Sequence, residues 1–457
     1  MRRRTLLRGA GAAALATLAA PAQAAAPSRR PPNFIVVLCD DLGYGDVSLY
    51  GPGGLRTPAL ERMAREGVVA TDYYAPANLC SPSRAGLLTG RYPVRCGLGY
   101  EVIMQQDERG LPLSEITIPK ALKPAYVSGL FGKWHLGHLG PAWPPTKHGF
   151  DTFFGIPYSH DMKPLALYEA HAGSDQVVRS EVDYPQLQQQ FYAHAEAFIE
   201  ANRDRPFFVE LALSAPHLPE NPHAPFDSNT DAGPYGAVVQ EIDSIVGRLL
   251  AKLKALKLDR DTVVIFTSDN GPWFEGSPGA LRERKGGGGY DGGYRVPFVA
   301  WAPGRFPAGK RVSSMISGID ILPTFLALAG IAPLDGVTLD GRDITSVLSQ
   351  GAASPHDQIV LFDNEVPIAI RTQDWKYVDA LYYRGRKLPM SLFTYQELYD
   401  LKGGRPENYS VAEGHPDVAK AMKARLDAAK AEFAPFRHKE IPQAFKALQA
   451  QLRGLQD

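Results

Sequence analysis

Residues 33–41 read Asn33-Phe34-Ile35-Val36-Val37-Leu38-Cys39-Asp40-Asp41, a near-continuous apolar, β-branched run that ends in two carboxylates. Such a run, preceded by Pro31-Pro32 and followed by Gly43, reads as a strand buried on both faces of a parallel sheet. The pattern recurs outward from it. Residues 206–213 (Pro-Phe-Phe-Val-Glu-Leu-Ala-Leu) and 262–267 (Thr-Val-Val-Ile-Phe-Thr) are two more apolar strands, and 126–131 is a fourth. Helical spacing fills the intervals at 57–66, 116–122, 185–202, 237–256 and 319–328. Alternating strands and helices predict an α/β fold with a central, mostly parallel sheet flanked by helices on both faces. Near residue 352 the pattern changes to short strands at 359–362, 367–371 and 375–378, followed by a charged amphipathic helix at 416–433. We therefore expect a large α/β domain over 33–351 and a small α+β domain over 352–457.

Composition narrows the function. The 457 residues carry 49 basic and 49 acidic side chains, a net charge of zero. A nucleic-acid binder would show a basic excess, so that class is set aside. Three cysteines make no disulfide framework, and Cys39 and Cys96 read as small buried hydrophobes. Arg2-Arg3-Arg4-Thr5-Leu6-Leu7-Arg8 precedes an Ala-rich apolar run over 9–20, and Ala22-Gln23-Ala24 fits a cleavage site. Residues 1–24 thus read as a signal peptide of the twin-arginine type, with an ordinary Sec leader as the alternative. No later apolar stretch is long enough to span a bilayer. The expected product is bacterial and periplasmic or secreted.

Two strands end in oxygen-bearing pairs. Asp40 and Asp41 follow the first strand, and Asp269 and Asn270 follow 262–267. Ligands collect at the carboxyl ends of strands in open α/β sheets. Each pair alone is also what a turn former looks like. Together they describe an all-oxygen site suited to a hard cation, Ca²⁺ or Mg²⁺. Asp46 is assigned to turn work. Lys133 and His135 follow the 126–131 strand and, if extended, face one way. His217 follows 206–213 in a turn bracketed by Pro216 and Pro219. Lys285 opens the glycine run at 286–289.

Leu79-Cys80-Ser81-Pro82-Ser83-Arg84 then places a cysteine ahead of a helix start. Pro82 suits a first helical turn, Ser81 can cap it, and Arg84 lies about one turn beyond Cys80. A helix N-terminus favours an anion.

In order and kind, the segments at 40–46 (DDLGYGD), 80–84 (CSPSR), 132–137 (GKWHLG), 215–217 (APH), 268–272 (SDNGP) and the Lys285–Gly293 loop resemble the type I, formylglycine-dependent sulfatases. Gly155-Ile156-Pro157-Tyr158-Ser159-His160-Asp161 is similar to the arylsulfatase A group. The resemblance implies an alkaline-phosphatase-like sandwich with a small C-terminal domain. It implies hydrolysis of aryl or carbohydrate sulfate monoesters, with Cys80 converted to formylglycine by a formylglycine-generating enzyme. It gives Asp40, Asp41, Asp269, Asn270 and the modified Cys80 as ligands of Ca²⁺. Arg84 and Lys133 would stabilise the hydrated aldehyde. Ser159, Lys133, His217 and Lys285 would hold the sulfate. His217 with Lys285 would protonate the leaving alcohol, and His135 would take the proton whose loss expels sulfate. The alternative ester is a phosphonate or phosphate, cleaved by the same aldehyde. One departure from the family pattern is an extra glycine between Lys285 and Tyr290. Trp273, Phe274, Tyr158 and Tyr100 are candidate ring-stacking residues, with loops 162–184 and 273–282 shaping the pocket.

Overall fold

The structure, a computed structural model, describes residues 30–51, 53–174, 176–226, 230, 232–383, 386–389, 396–443 and 445–446. The signal-peptide reading of 1–24 lies outside these residues.

The run that opened the sequence reading is strand β1 (Asn33–Asp40), with all eight residues buried. It lies inside a ten-stranded sheet with β2 (Val68–Ala70), β3 (Val127–Lys133), β4 (Thr152–Ile156), β5 (Leu167–His171), β6 (Val177–Ser180), β7 (Phe207–Pro216), β8 (Thr262–Ser268), β9 (Phe298–Trp301) and β10 (Lys310–Val312). Their order is β10-β2-β9-β8-β1-β7-β3-β4-β5-β6. The five central strands β8-β1-β7-β3-β4 all run parallel. The antiparallel pairings involve β9 on one side and the β4-β5-β6 meander on the other. This is the expected sheet, an alkaline-phosphatase-like architecture.

Period-two alternation sorts β1 between two cores. Ile35, Val37 and Cys39 pack with Phe191 and Ile199 of helix α3 and with Ile242 and Leu249 of α4. Phe34, Val36 and Leu38 pack with Leu87 of α2 and Phe325 of α5. Here α1 is Pro58–Glu66, α2 Cys80–Thr89, α3 Leu187–Ala201, α4 Gly233–Ala255 and α5 Ile321–Ala329. The Phe34 and Phe325 rings stack at 4.1 Å. Each such side chain contributes about 1.5–3 kcal/mol on burial. The helices at 57–66, 185–202 and 237–256 fall within a few residues of their sequence reading.

Two readings change. Residues 162–184 are not simply a loop, because β5 and β6 form a hairpin there that extends the sheet. Ser81 does not cap α2. That helix begins at Cys80 with Leu79 as its N-cap and no side-chain cap bond. The Ser81 hydroxyl, one residue inside, accepts instead from the Ile103 N–H at 2.9 Å.

A second sheet of four antiparallel strands, β11 (Ile359–Asp363), β12 (Val366–Arg371), β13 (Trp375–Val378) and β14 (Glu397–Asp400), pairs in sequence order. Helix α6 (Pro416–Phe433) covers it through Met422, Leu426 and Phe433. The seam toward the large sheet joins an apolar cluster, Tyr290 and Met315 with Leu361 and Ala369, to a buried ion set. Lys376 is buried and lies 2.7 Å from Asp291 and 2.6 Å from Glu407. Arg371 lies 3.0 Å from Asp72. Removing one partner of such a buried set leaves the others uncompensated, at a cost of about 3–5 kcal/mol. We expect Lys376→Ala to lose roughly that much stability, read as a lower denaturant midpoint. A midpoint like the wild type's would show that the seam holds without this ion set.

Candidate active site

The carboxyl ends of β1 and β8 converge. Asp40, Asp41 and Asp269 place carboxylate oxygens, with the Cys80 thiol, all within 4.8 Å of one another, and all four residues are buried. The Cys80 Sγ–H points at Asp40 Oδ1, 3.3 Å away, with Asp41 Oδ1 at 3.8 Å. Asn270 donates through Nδ2 to Asp41 Oδ1 at 2.7 Å. Its Oδ1 is buried with no partner. Three clustered carboxylates and an orphaned amide oxygen form a hard-donor set, and a divalent cation fits them.

Cations surround this cluster from three directions. Arg84, from the first turns of α2, bonds Asp269 Oδ2 through Nε at 2.9 Å and the Lys133 carbonyl through NH1 at 2.9 Å. Lys133, the last residue of β3, reaches Asp40 Oδ2 at 2.6 Å. Lys285 reaches Asp41 Oδ2 at 2.8 Å, so the extra glycine does not carry it away. The loop instead doubles back through Gly286 and Gly288, with φ of 69° and 70°. Asn78 pins it, accepting the Gly286 N–H and donating to the Gly288 carbonyl, both at 3.0 Å.

The charges set the proton affinities. Burial would raise the Asp40 carboxyl, but Lys133 foremost, then His217, Arg84 and Lys285, hold it well below the usual range. Asp269 is pushed up to about 6, by burial and then by Asp40. Burial and the Asp40 charge push the Cys80 thiol well above its ordinary value. The surroundings therefore oppose a thiolate, which speaks against Cys80 as a plain thiol nucleophile.

Two histidines flank the cluster. His135 is not on an extended piece as expected: β3 stops at Lys133 and His135 sits at φ 59°. The left-handed turn still aims its ring into the cleft. Its Nε2 donates to the Ile103 carbonyl at 3.0 Å, which leaves Nδ1 buried with a free lone pair. Burial, helped by Lys133, holds its pKa well below the usual value, so the ring is neutral. His217 Nδ1 lies 2.6 Å from the Leu218 carbonyl, and its Nε2 faces Asp41 Oδ2 at 3.6 Å. Ser159 Oγ is buried and unpartnered beside the same cleft. Asp46 does turn work, accepting from the Gly43 and Ser277 N–H groups and the Tyr235 hydroxyl.

All the expected site residues thus gather in one place. The ring-stacking candidates divide. Tyr158 is buried against His138, and Tyr100 packs on Phe445, whereas Trp273 and Phe274 are exposed. Sequence reasoning missed His160, whose buried ring lies 5.6 Å from His217 with both nitrogens unpartnered. It also missed Glu210 on β7, a buried carboxyl raised to about 7 by burial, with Arg84 opposing. His160 lay inside the quoted GIPYSHD segment, but nothing in the sequence separates it from Ser159 as a packing residue.

Cations converging beside a modified-residue candidate at a helix start make this a hydrolase site for anionic esters, on an alkaline-phosphatase-like sandwich. The Sulfatase family profile matches residues 32–331. Human arylsulfatase A is 37% identical over 455 residues, covering 88% of this chain and 89% of the relative. The dog N-acetylgalactosamine-6-sulfatase is 37% identical over 368 residues, covering 74% of this chain and 70% of the relative. The PsFucS1 sulfatase from Pseudoalteromonas sp. aligns with a TM-score of 0.79 at 28% identity, over 90% of this chain and 92% of that one. The chain belongs to the sulfatase family, and it is a sulfuric ester hydrolase.

Gly132 makes the placement of Lys133 and His135 possible. Its φ is 129°, and a Cβ there would lie 1.8 Å from the Ala212 carbonyl oxygen on β7. Gly132→Ala must separate β3 from β7 and shift both side chains. We expect sulfatase activity to fall at least about a hundredfold, since a displacement near 1 Å costs that much. A folded variant with wild-type turnover would contradict this account of the β3 terminus.

Proposed function

We propose that the protein is an exported sulfatase that cleaves aryl or carbohydrate sulfate monoesters through a formylglycine made from Cys80, with a Ca²⁺ ion held by Asp40, Asp41, Asp269, Asn270 and the modified side chain. The observation that carries this reading is the placement of Cys80, which starts a helix amid three carboxylates and three cations yet is kept from ionising. Asp40, Asp41 and Asp269 are matched in charge by Arg84, Lys133 and Lys285. A bound divalent cation would take over the carboxylates and free the lysines for an anion. The site would then carry a positive surplus suited to sulfate.

The hydrated aldehyde supplies one hydroxyl that attacks sulfur and a second whose deprotonation expels sulfate and restores the carbonyl. The residues of the chain serve that chemistry. Lys133, Lys285, Ser159 and His217 cradle the sulfate oxygens, and Arg84 steadies the nucleophilic side chain. His217, whose Nδ1 is tied to Leu218, presents Nε2 to the leaving oxygen and protonates it with Lys285. His135, neutral and with Nδ1 open, accepts the proton released in the second step. The product alcohol leaves through the cleft, and one water is consumed per turnover.

Cys80 is 1% exposed, so a modifying enzyme has no access to it in the folded protein. Its oxidation by a formylglycine-generating enzyme therefore precedes folding. With a twin-arginine leader, it also precedes export to the periplasm.

In protein from its own host, the Cys80 peptide carries the mass of the aldehyde or its hydrate, and an intact thiol in active protein would sink the reading. His135→Ala lowers turnover of 4-nitrophenyl sulfate by roughly 10²–10⁴-fold. A phosphate ester of the same phenol is a poorer substrate; the reverse order would favour the phosphoester alternative. For the metal, Ca²⁺ at a hundredfold excess over its Kd stabilises the protein by about 2.7 kcal/mol, read as a rise in Tm. Asp41→Asn should lose most of that rise.

A further inference from the structure

Above the sulfate cradle the active site opens into a cleft of about 370 Å³. That lies at the small end of the roughly 300–1,000 Å³ range of ligand sites, enough for one or two rings. Its walls are apolar: Leu79, Val102, Met104, Met162, Leu218 and Trp273. The charged lining groups fall into two sets. Lys285, His135 and His217 form one set, with Lys285 bonded to Asp41 and His135 to the Ile103 carbonyl. The other set is Glu101 and Asp161, both acids, with Asp161 exposed.

Trp273 is 41% exposed and Phe274 71% exposed, with their rings 4.7 Å apart and nearly perpendicular. Exposing two adjacent large aromatics leaves apolar surface in water without a stabilising partner. Their backbone is fixed from behind, since Arg284 NH1 donates to the Trp273 carbonyl at 3.1 Å. Met104 and Met162 face the same space, and thioethers make favourable contacts with ring edges.

We infer that this cleft selects sulfate monoesters whose alcohol is an apolar ring with no second negative charge, with Trp273 as the stacking surface and Glu101 and Asp161 as the groups that reject a second anion. The inference rests on the sulfatase reading of the site and narrows it. An aryl sulfate presents one anion to the cationic set and a neutral ring to the walls. A sulfated glycan carrying a uronate or a second sulfate would bring that charge beside Asp161 and Glu101. Like charges raise the cost of binding there, and removing water strengthens the repulsion.

The experiment compares kcat/KM for 4-nitrophenyl sulfate, its 3-carboxy analogue and a 6-sulfated disaccharide containing a uronate, on aldehyde-bearing wild-type protein. We expect the uncharged phenol to be preferred over both anionic substrates by tenfold or more, on the order of one screened charge contact. Raising the salt concentration should narrow the gap, because the exposed Asp161 is screened. Asp161→Asn and Glu101→Gln should each shrink the discrimination while changing kcat/KM for the neutral ester little. Trp273→Ala should raise KM for the aryl ester roughly three- to tenfold at similar kcat, the size of one ring contact. Preference for the uronate disaccharide, or a gap unaltered in both acid variants, overturns the inference and leaves the sulfatase reading standing. Failure to turn over any of the three sulfates would instead count against the catalytic reading itself.

Discussion

Mutual repulsion among Asp40, Asp41 and Asp269 is the constraint around which the molecule is arranged. Parallel neighbours β1 and β8 end side by side, so their terminal carboxylates meet in a place shut off from water. Such a cluster persists only if opposite charge arrives from elsewhere. It arrives from three separate parts of the chain: Arg84 from a helix start, Lys133 from the end of a neighbouring strand, and Lys285 from a loop more than two hundred residues away from Asp41. Each of these elements is held in register by the need to neutralise the same point. The arrangement that makes the fold specific also concentrates positive charge next to Cys80.

That logic explains which features the sequence revealed. Strands buried on both faces have to be apolar throughout, so β1, β7 and β8 announced themselves. The residues at their ends, Asp40, Asp41, Asp269 and His217, were then located by the strand-end rule for ligand sites. Helices with one buried stripe, such as α3 and α4, were equally visible. The hairpin β5-β6 was not, because strands at the sheet's edge are largely exposed and carry mixed composition. The short strands β2, β9 and β10 also escaped, since three or four residues hold too little periodicity to separate a strand from a loop.

Side-chain roles were legible where one residue type could serve only one purpose, and obscure where geometry decides. Ser81 looked like a cap and turned out to bind Ile103, because the helix began two residues earlier than its composition suggested. His135 looked extended but uses a left-handed turn, which residue identity does not disclose for a histidine. Glu210 gave no signal at all: one acid in an apolar strand looks like noise until its burial behind Arg84 is seen. The second sheet was read from its strands, but the ion set of Asp291, Lys376 and Glu407 that ties it to the large sheet joins residues with no local pattern in common.

The order of the strands sets a schedule as well as a shape. Strand β1 pairs with β7 and β8, whose residues leave the ribosome long after Cys80 does. Until β7 and β8 are made, β1 has neither of its neighbours. Asp291 gains its partners Lys376 and Glu407 later still. At about 5–20 residues per second, synthesis leaves the nascent Cys80 segment open for seconds to tens of seconds. Wide separation in sequence, which slows folding, thereby becomes the interval in which the chain still exposes a cysteine that the finished protein hides.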